Sequence, residues 1–335
     1  MKHHGATGEP VSHLVSSLSR ARKLGSRDRK LVGEAVYTMV RNLPWPAWFL
    51  KKLEKEYGKN APELIKALRE RAQPVLAVDK RHCHIDQVQE SLQEQGIETR
   101  KSALIEGALV VVSADFSWEK IPEELQKSLW LMDEASQIAA RSVAAKAGML
   151  VLDMCAGGGG KTRYLLQSDA HIVAMDSSEK RTRASLEREG LESAWHVVAD
   201  GMKPPFADGT FDWIIIDAPC SGTGTLRRAP DLLSRLDEKN IKSCVEIQQG
   251  LLRSAAALLK ASGKLIYVTC SVLPEENRQM LSWIKDELKI LKPQPLAEIW
   301  GSDVKIEMSP EANFIQLLPS AHGCDGFFIA AYRSN

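Results

Sequence analysis

Two cysteines stand where this chain could present a reactive thiol. Cys220 lies in DAPCSGTG and Cys270 in TCSVLPEEN, each just past an apolar run and each in a turn-forming context. A thiolate is a strong nucleophile once nearby dipoles or cations favour it. Cys83, Cys155, Cys244 and Cys324 read instead as small buried hydrophobes. No C-x-x-C pair occurs, so neither a disulfide framework nor a zinc knuckle is suggested, and no metal is expected.

A second constellation is DMCAGGGGKT. Gly157, Gly158, Gly159 and Gly160 permit a tight turn and close backbone approach, and the helix that follows offers free N–H groups. Cys155 and Ala156 open this loop and Lys161 closes it. The P-loop pattern fails at its first position, which is Cys155, and the dinucleotide fingerprint fails at its last, Thr162. Three acids, Asp176, Asp200 and Asp217, each close an apolar run. Carboxyl ends of parallel strands line the ligand crevice of such sheets, where Asp176 is placed to take a ribose diol. The combination asks for a nucleoside-containing cofactor without obligatory phosphates, and S-adenosylmethionine is the natural candidate.

The elements that must hold these groups follow from periodicity. Val11, Leu14, Val15 and Leu18 mark one helix, and Leu31 to Val40 a second. A third runs from Ala47 to Tyr57 after the break at Pro44 and Pro46. PVLAVDK, DQVQESLQEQG and GALVVV predict a small strand–helix–strand unit of RRM-like type, without the aromatic ribonucleoprotein signature. Residues 117–130, with Pro122, read as a surface segment leading into a helix over 131–147. Strands are then predicted at 149–155, 171–176, 195–200, 211–217 and 264–270, followed by a terminal pair at 314–319 and 326–333 without a helix between. Short, near-continuous apolar strands alternating with helices predict an α/β fold with a mostly parallel, seven-stranded sheet.

Composition bounds the partners. In 335 residues, 44 Lys+Arg face 43 Asp+Glu, and 44% are apolar, which excludes disordered and fibrous classes. No apolar stretch is long enough to span a membrane, and MKHHGATGEP has no apolar secretion core, so a reduced, cytoplasmic protein is expected, as a monomer. The charge is unevenly placed: residues 1–120 carry 20 basic and 15 acidic residues, whereas the rest is slightly acidic. Arg20, Arg22, Lys23, Arg27, Arg29 and Lys30 crowd around the single acid Asp28. Such a run is either a solvated helix flank or a phosphate-contacting patch for RNA. Arg227 and Arg228 are expected RNA or cofactor-loop contacts, with a plain surface turn as the equal alternative.

In this order and spacing, DMCAGGGGKT, DAPCSGTG and TCSVLPEEN resemble the motifs of the RNA cytosine-5 methyltransferases of the NOL1/NOP2/Sun family, in particular the bacterial 16S rRNA enzymes of cytosine-967 type. The resemblance covers residues 72–335 and includes LMDEASQIAARSV and HGCDGFFIAAYR; LGSRDRKLVGEAVYTMVR looks like a short form of the NusB-like helical extension. One departure is clear: the family loop reads C-A-A-P-G-G-K-T, and Gly157 and Gly158 replace its Ala-Pro pair, which puts cofactor affinity in question. The resemblance implies a Rossmann-like S-adenosylmethionine-dependent methyltransferase domain at 126–335, preceded by the small unit at 72–125 and a basic helical segment at 1–71. It also implies Cys270 as nucleophile, Cys220 for product release, and Asp217 with Lys161 beside the methyl donor and target base. The opposite cysteine assignment, used by DNA cytosine-5 methyltransferases, is the competitor. Ribosomal RNA is the expected partner, with tRNA as the alternative. A small-molecule or protein methyltransferase and a non-catalytic RNA-binding assembly factor are the remaining rivals.

Overall fold

The computed structural model describes residues 26–188 and 190–335. The predicted helix over Val11–Leu18 and the basic residues Arg20, Arg22 and Lys23 lie outside them; Arg27, Arg29 and Lys30 fall in the first turns of α1 (Ser26–Arg41). Pro44 and Pro46 end that helix and set off α2 (Ala47–Tyr57), followed by α3 (Ala61–Arg69). Trp45, Phe49, Leu53, Leu64 and Leu68 bury one face of this pair. Their partners are Leu226, Ile241, Val272 and Leu273, from the segments that follow the two candidate thiols. Tyr57 donates to the Val272 carbonyl at 2.8 Å, and Lys52 pairs with Glu275. The N-terminal helices therefore brace the segments that follow the two candidate thiols.

Next comes a four-stranded antiparallel sheet of β1 (Val75–Val78), β2 (Thr99–Lys101), β3 (Ala108–Val111) and β4 (Leu129–Leu131), in the order β2-β3-β1-β4, with α4 (Ile85–Glu94) on one face. This is ferredoxin-like topology. β4 corrects the reading of 117–130 as surface: Leu129 and Trp130 are buried, with Leu76↔Leu131 and Val78↔Leu129 in register. The helix expected over 131–147 is shorter, α5 (Glu134–Arg141), because Asp133 caps it by accepting from Ala135 N at 2.9 Å. One face of the small sheet packs on α4 through Val88 and Leu92; the other contributes Val75, Ala108 and Val110 to the core of the large sheet.

The large sheet runs β7-β6-β5-β8-β9-β12-β10, with β11 paired to β12. It is built from β5 (Leu150–Asp153), β6 (His171–Asp176), β7 (Trp195–Val198), β8 (Phe211–Asp217), β9 (Leu259–Thr269), β10 (Leu291–Pro293), β11 (Phe314–Leu317) and β12 (Phe327–Ser334). β5 to β9 pair in parallel and the last three antiparallel. The seven expected strands are joined by β10, whose three residues are too few to show periodicity, and a one-turn helix, Pro319–His322, separates β11 from β12. Alternate residues face opposite cores. Val151, Ile215 and Val268 pack toward α5, whereas Leu152, Ile214 and Tyr267 meet α7 (Glu238–Leu258) and α8 (Arg278–Glu287). This two-sided burial is why the strands read as unbroken apolar runs. β6 and β8 flank β5, so the strand order reverses there and opens the crevice where such sheets bind ligands. No described helix is long and apolar enough to cross a membrane.

Candidate active site

The glycine-rich loop turns between β5 and a short helix, α6 (Gly160–Leu165). Gly157 and Gly159 hold φ of +56° and +79°, the left-handed region that L side chains avoid. A Cβ on Gly159 would also lie 2.4 Å from Leu191 Cδ1 and 2.6 Å from Ser185 Oγ. Gly158 and Gly160 carry no such constraint: an added Cβ on Gly158 meets only Arg188 Nη1 at 3.7 Å, and one on Gly160 meets nothing within 4 Å. Of the two residues that depart from the family loop, the first is therefore set by its backbone and the second is free.

The acids divide. Asp176 ends β6 and is nearly buried; Oδ2 accepts from Gly157 N at 2.9 Å, and Oδ1 accepts from Ser178 N and from the Arg181 guanidinium, 2.9 Å from Nη2. Asp200 is exposed past β7 and accepts only a local bond from Met202 N. Asp217 ends β8 and receives Lys161 Nζ at 2.6 Å. Burial opposes the Lys161 charge, but Asp217 and Asp153 outweigh it and hold its pKa above the ordinary value. Asp153 itself is fully buried, accepts from Thr162 Oγ1 at 2.7 Å, and has its pKa pushed up to about 7 by burial. Burial likewise raises the Cys155 thiol, which marks it as a wall of the loop rather than a reagent.

The two candidate thiols meet. Register sets Asp217 beside Val268, so the loops after β8 and β9 leave the sheet side by side, and Cys220 Sγ lies 3.3 Å from Cys270 Sγ. The Cys270 hydrogen bond and burial push the Cys220 thiol well above its ordinary pKa. Lys161 lies within the electrostatic reach of Cys270. Lys161 also sits 5.4 Å from the centre of the Phe327 ring.

A polar network that the sequence reading did not name fixes the pair. Glu276, fully buried, accepts from Ser221 N at 2.8 Å, Ser221 Oγ at 2.5 Å and Gln248 Nε2 at 3.2 Å. Asn277 accepts from Thr269 Oγ1 at 2.6 Å and donates to the Ser271 carbonyl at 2.9 Å. Tyr267 donates to Gln248 Oε1 and the Glu276 carbonyl. The only local signal was the polar run PEEN, separated from β9 by four residues, which marks polar groups but not the partners they meet. The backbone adds a brace: Gly224 N donates to the Cys270 carbonyl and Gly326 N to the Gly224 carbonyl, both at 2.9 Å. A Cβ on Gly224 would lie 1.9 Å from the Gly326 oxygen, so this contact admits no side chain.

Arg227 and Arg228 are corrected. Arg227 is buried and donates to the Gly323 and Cys324 carbonyls at 2.6 and 3.0 Å. Arg228 bridges two buried carboxylates, Asp325 at 2.5 Å and Asp133 at 2.7 Å. Most of their donors are engaged inside the protein, which makes them cross-braces between the Cys220 loop and the segment before β12 rather than exposed RNA contacts. Among the described residues no cluster of three or more His, Cys, Asp or Glu could hold a metal ion.

Fold and site together define a Rossmann-like α/β protein with a thiol pair at the ligand edge of its sheet. The family model described as 16S rRNA methyltransferase RsmB/F matches residues 140–333, and that of the ferredoxin-like domain of RsmF/B-like methyltransferases matches 45–115. The chain belongs to the RsmB/F methyltransferase family. It is 33% identical over 295 residues to the ribosomal RNA small subunit methyltransferase B of Vibrio cholerae, covering 85% of this chain and 64% of that protein. Against the Escherichia coli protein of the same name the identity is 32% over 292 residues, covering 85% and 65%. The chain thus spans just under two thirds of the length of these curated relatives. A solved methyltransferase homologue from Pyrococcus horikoshii superposes with a TM-score of 0.73 at 25% identity, covering 89% of this chain and 98% of the other. NSun6 from the same organism, solved with SFG, superposes at 0.72 with 20% identity, covering 86% and 98%, which is a likeness of fold.

Proposed function

We propose that the protein transfers a methyl group from S-adenosylmethionine to carbon 5 of a cytosine in RNA, 16S ribosomal RNA in the first place, through a covalent bond between Cys270 and the base. The observation that carries this reading is the approach of two free thiols to 3.3 Å at the ligand edge, near the pair that buried Lys161 forms with Asp217. The relatives' names support ribosomal RNA as the substrate.

The loop residues suit the cofactor. Open space above Gly158 and Gly160 leaves room, and the carboxylates of Asp176 and Asp217 suit a ribose diol and a sulfonium; Asp200 offers a third acid at the next strand end. Arg181, more than half exposed, occupies Asp176 from the solvent side and must release it when a diol binds. Backbone groups of Cys155, Ala156 and Gly157 to Gly160, with Lys161, would hold the rest of the cofactor. When bound, S-adenosylmethionine supplies an electrophilic methyl group.

Carbon 5 of cytosine is a weak nucleophile. Addition of the Cys270 sulfur to carbon 6 forms a C–S bond and moves ring electron density onto carbon 5. Lys161, fixed by Asp217, holds a buried positive charge where that density develops. Once carbon 5 carries the methyl group it gives up its proton to a base. The C–S electrons then return to sulfur and the ring double bond re-forms. Cys220, in contact with Cys270, serves this release. The target base must leave its stack to reach the thiols, which suits a loop or single strand.

The test is a denaturing gel of protein with radiolabelled 16S rRNA and S-adenosylmethionine. Cys220→Ala should retain RNA as a covalent adduct, and Cys270→Ala should retain none and methylate nothing. An adduct with Cys270→Ala alone reverses the assignment. No adduct with either variant, together with no calorimetric binding of S-adenosylmethionine, overturns the reading.

A further inference from the structure

A cavity of about 470 Å³ opens between α1, the turn after α3 and the segment that follows the Cys220 loop. Glu34, Tyr37, Arg41, Arg71, Arg227 and Arg228 shape it. Four arginines thus line one space. Arg228 is neutralised by Asp133 and Asp325. Arg41 and Arg227 pair with no carboxylate among the described residues, and the Nε atoms of both are buried without an acceptor there. The acid of the cavity wall, Glu34, touches Arg71 at 3.5 Å with both side chains largely exposed, a pairing weak enough to exchange.

Like charges gathered in a half-buried space repel. Burial and the neighbouring Arg71 both depress the Arg41 pKa, although the Tyr37 ring lies 5.9 Å from its guanidinium. Nor is Arg41 free to swing away. Its Nη2 donates to the Arg227 carbonyl at 3.0 Å, which fixes the guanidinium on the segment leading from Cys220. A pre-oriented, under-compensated arginine cluster is suited to an anion whose oxygens accept forked N–H bonds.

We propose that this cavity seats one backbone phosphate of the RNA, held by Arg41 and Arg71, so that the strand is anchored beside the loop that carries Cys220. The proposal rests on the RNA substrate proposed above. Arg227 contributes its charge from behind, and its donated bonds to Gly323 and Cys324 hold the floor. The seat would fix the strand without reading sequence, as phosphate contacts do.

The experiment measures binding of a fluorescein-labelled oligocytidylate of about 20 nucleotides to the full chain by anisotropy, at several KCl concentrations between about 50 and 200 mM. Arg71→Gln and the double variant Arg41→Gln/Arg71→Gln should weaken binding at low salt by roughly fivefold or more. Each should also reduce the slope of log K against log[KCl], by about 0.7 for one lost phosphate contact on a single strand. Arg71→Lys should keep most of the slope. Arg71 is two-thirds exposed, so its single variant tests the proposal even where the double variant does not fold. Unchanged affinity and slope in Arg71→Gln and in a folded double variant overturn the phosphate seat and leave the methyltransferase reading intact. A wild-type protein that binds no RNA of any kind overturns both.

Discussion

Neutralising Asp217 should destabilise the protein far more than removing its partner Lys161. The two ends of the pair differ in exposure: the Lys161 side chain is 9% exposed, that of Asp217 33%. Asp217→Asn keeps an oxygen to accept the Lys161 hydrogen bond but strands a buried cation, the costly way to break such a pair, typically 3–5 kcal/mol. Relief comes from Asp153, which loses the repulsion of Asp217, ionises more readily than at its present value near 7, and takes over part of the counter-charge. A loss of about 3 kcal/mol at pH 7 results, at the lower end of that range. Lys161→Met leaves a carboxylate that water still reaches, and Asp153, deprived of the lysine, stays protonated; about 1 kcal/mol is lost.

The pH dependence has a definite sign. In the wild type the raised Lys161 pKa contributes stability below pH 10.5 that disappears as pH rises through the folded value. In Asp217→Asn burial dominates and the folded pKa drops below the unfolded one. The penalty is then full at low pH and shrinks as pH rises through the depressed value, because the unfolded chain binds the extra proton. Urea unfolding followed by tryptophan fluorescence at about pH 7 and 9.5 reads both effects. Equal losses for the two variants, or an Asp217→Asn deficit that grows with pH, would refute the assignment of Lys161 as a buried cation held by Asp217.

Two further outcomes follow from the loops. Gly159→Ala should lower stability by about 2 kcal/mol or more, from its left-handed backbone and its collision with Leu191 and Ser185, whereas Gly158→Ala should be neutral or slightly stabilising; thermal melts of the two variants check the contrast. Arg228→Met should cost about 3 kcal/mol near neutral pH by leaving Asp133 and Asp325 buried without their cation. Burial already raises Asp325 to about 6 and the variant raises it further, so stability falls as pH climbs and the deficit in urea midpoint should be smaller at pH 5 than at pH 8.

Much of the catalytic half was legible because its strands are buried on both faces. IIID and LIYVT stay nearly apolar until the chain reaches the ligand edge, and Asp217, Cys220 and Cys270 at or just past their ends belong to the candidate site. What stayed hidden depends on partners far away in sequence. Arg227 and Arg228 look like surface arginines until Gly323, Cys324, Asp325 and Asp133 are brought to them. The amphipathic faces of α2 and α3 announce burial but not against what, and their partners Val272 and Leu273 are some 200 positions on. β4 has only three residues, too few for periodicity, and acquires its strand character from pairing with β1. Glu276 and Asn277 read as helix-flanking polar residues because nothing local shows that Ser221 and Thr269 will meet them in the interior.

The brace between Gly224 and Gly326 has a consequence in time as well as in space. Both thiols leave the ribosome well before β12, yet the loop of the first is pinned through Gly224, Arg227 and Arg228 to residues 323–326, about a hundred positions later. A nascent chain already carrying Cys220 and Cys270 therefore lacks the contacts that set them against each other. The two thiols are made early and assembled late, so a chain interrupted before β12 carries both without the geometry that sets them against each other.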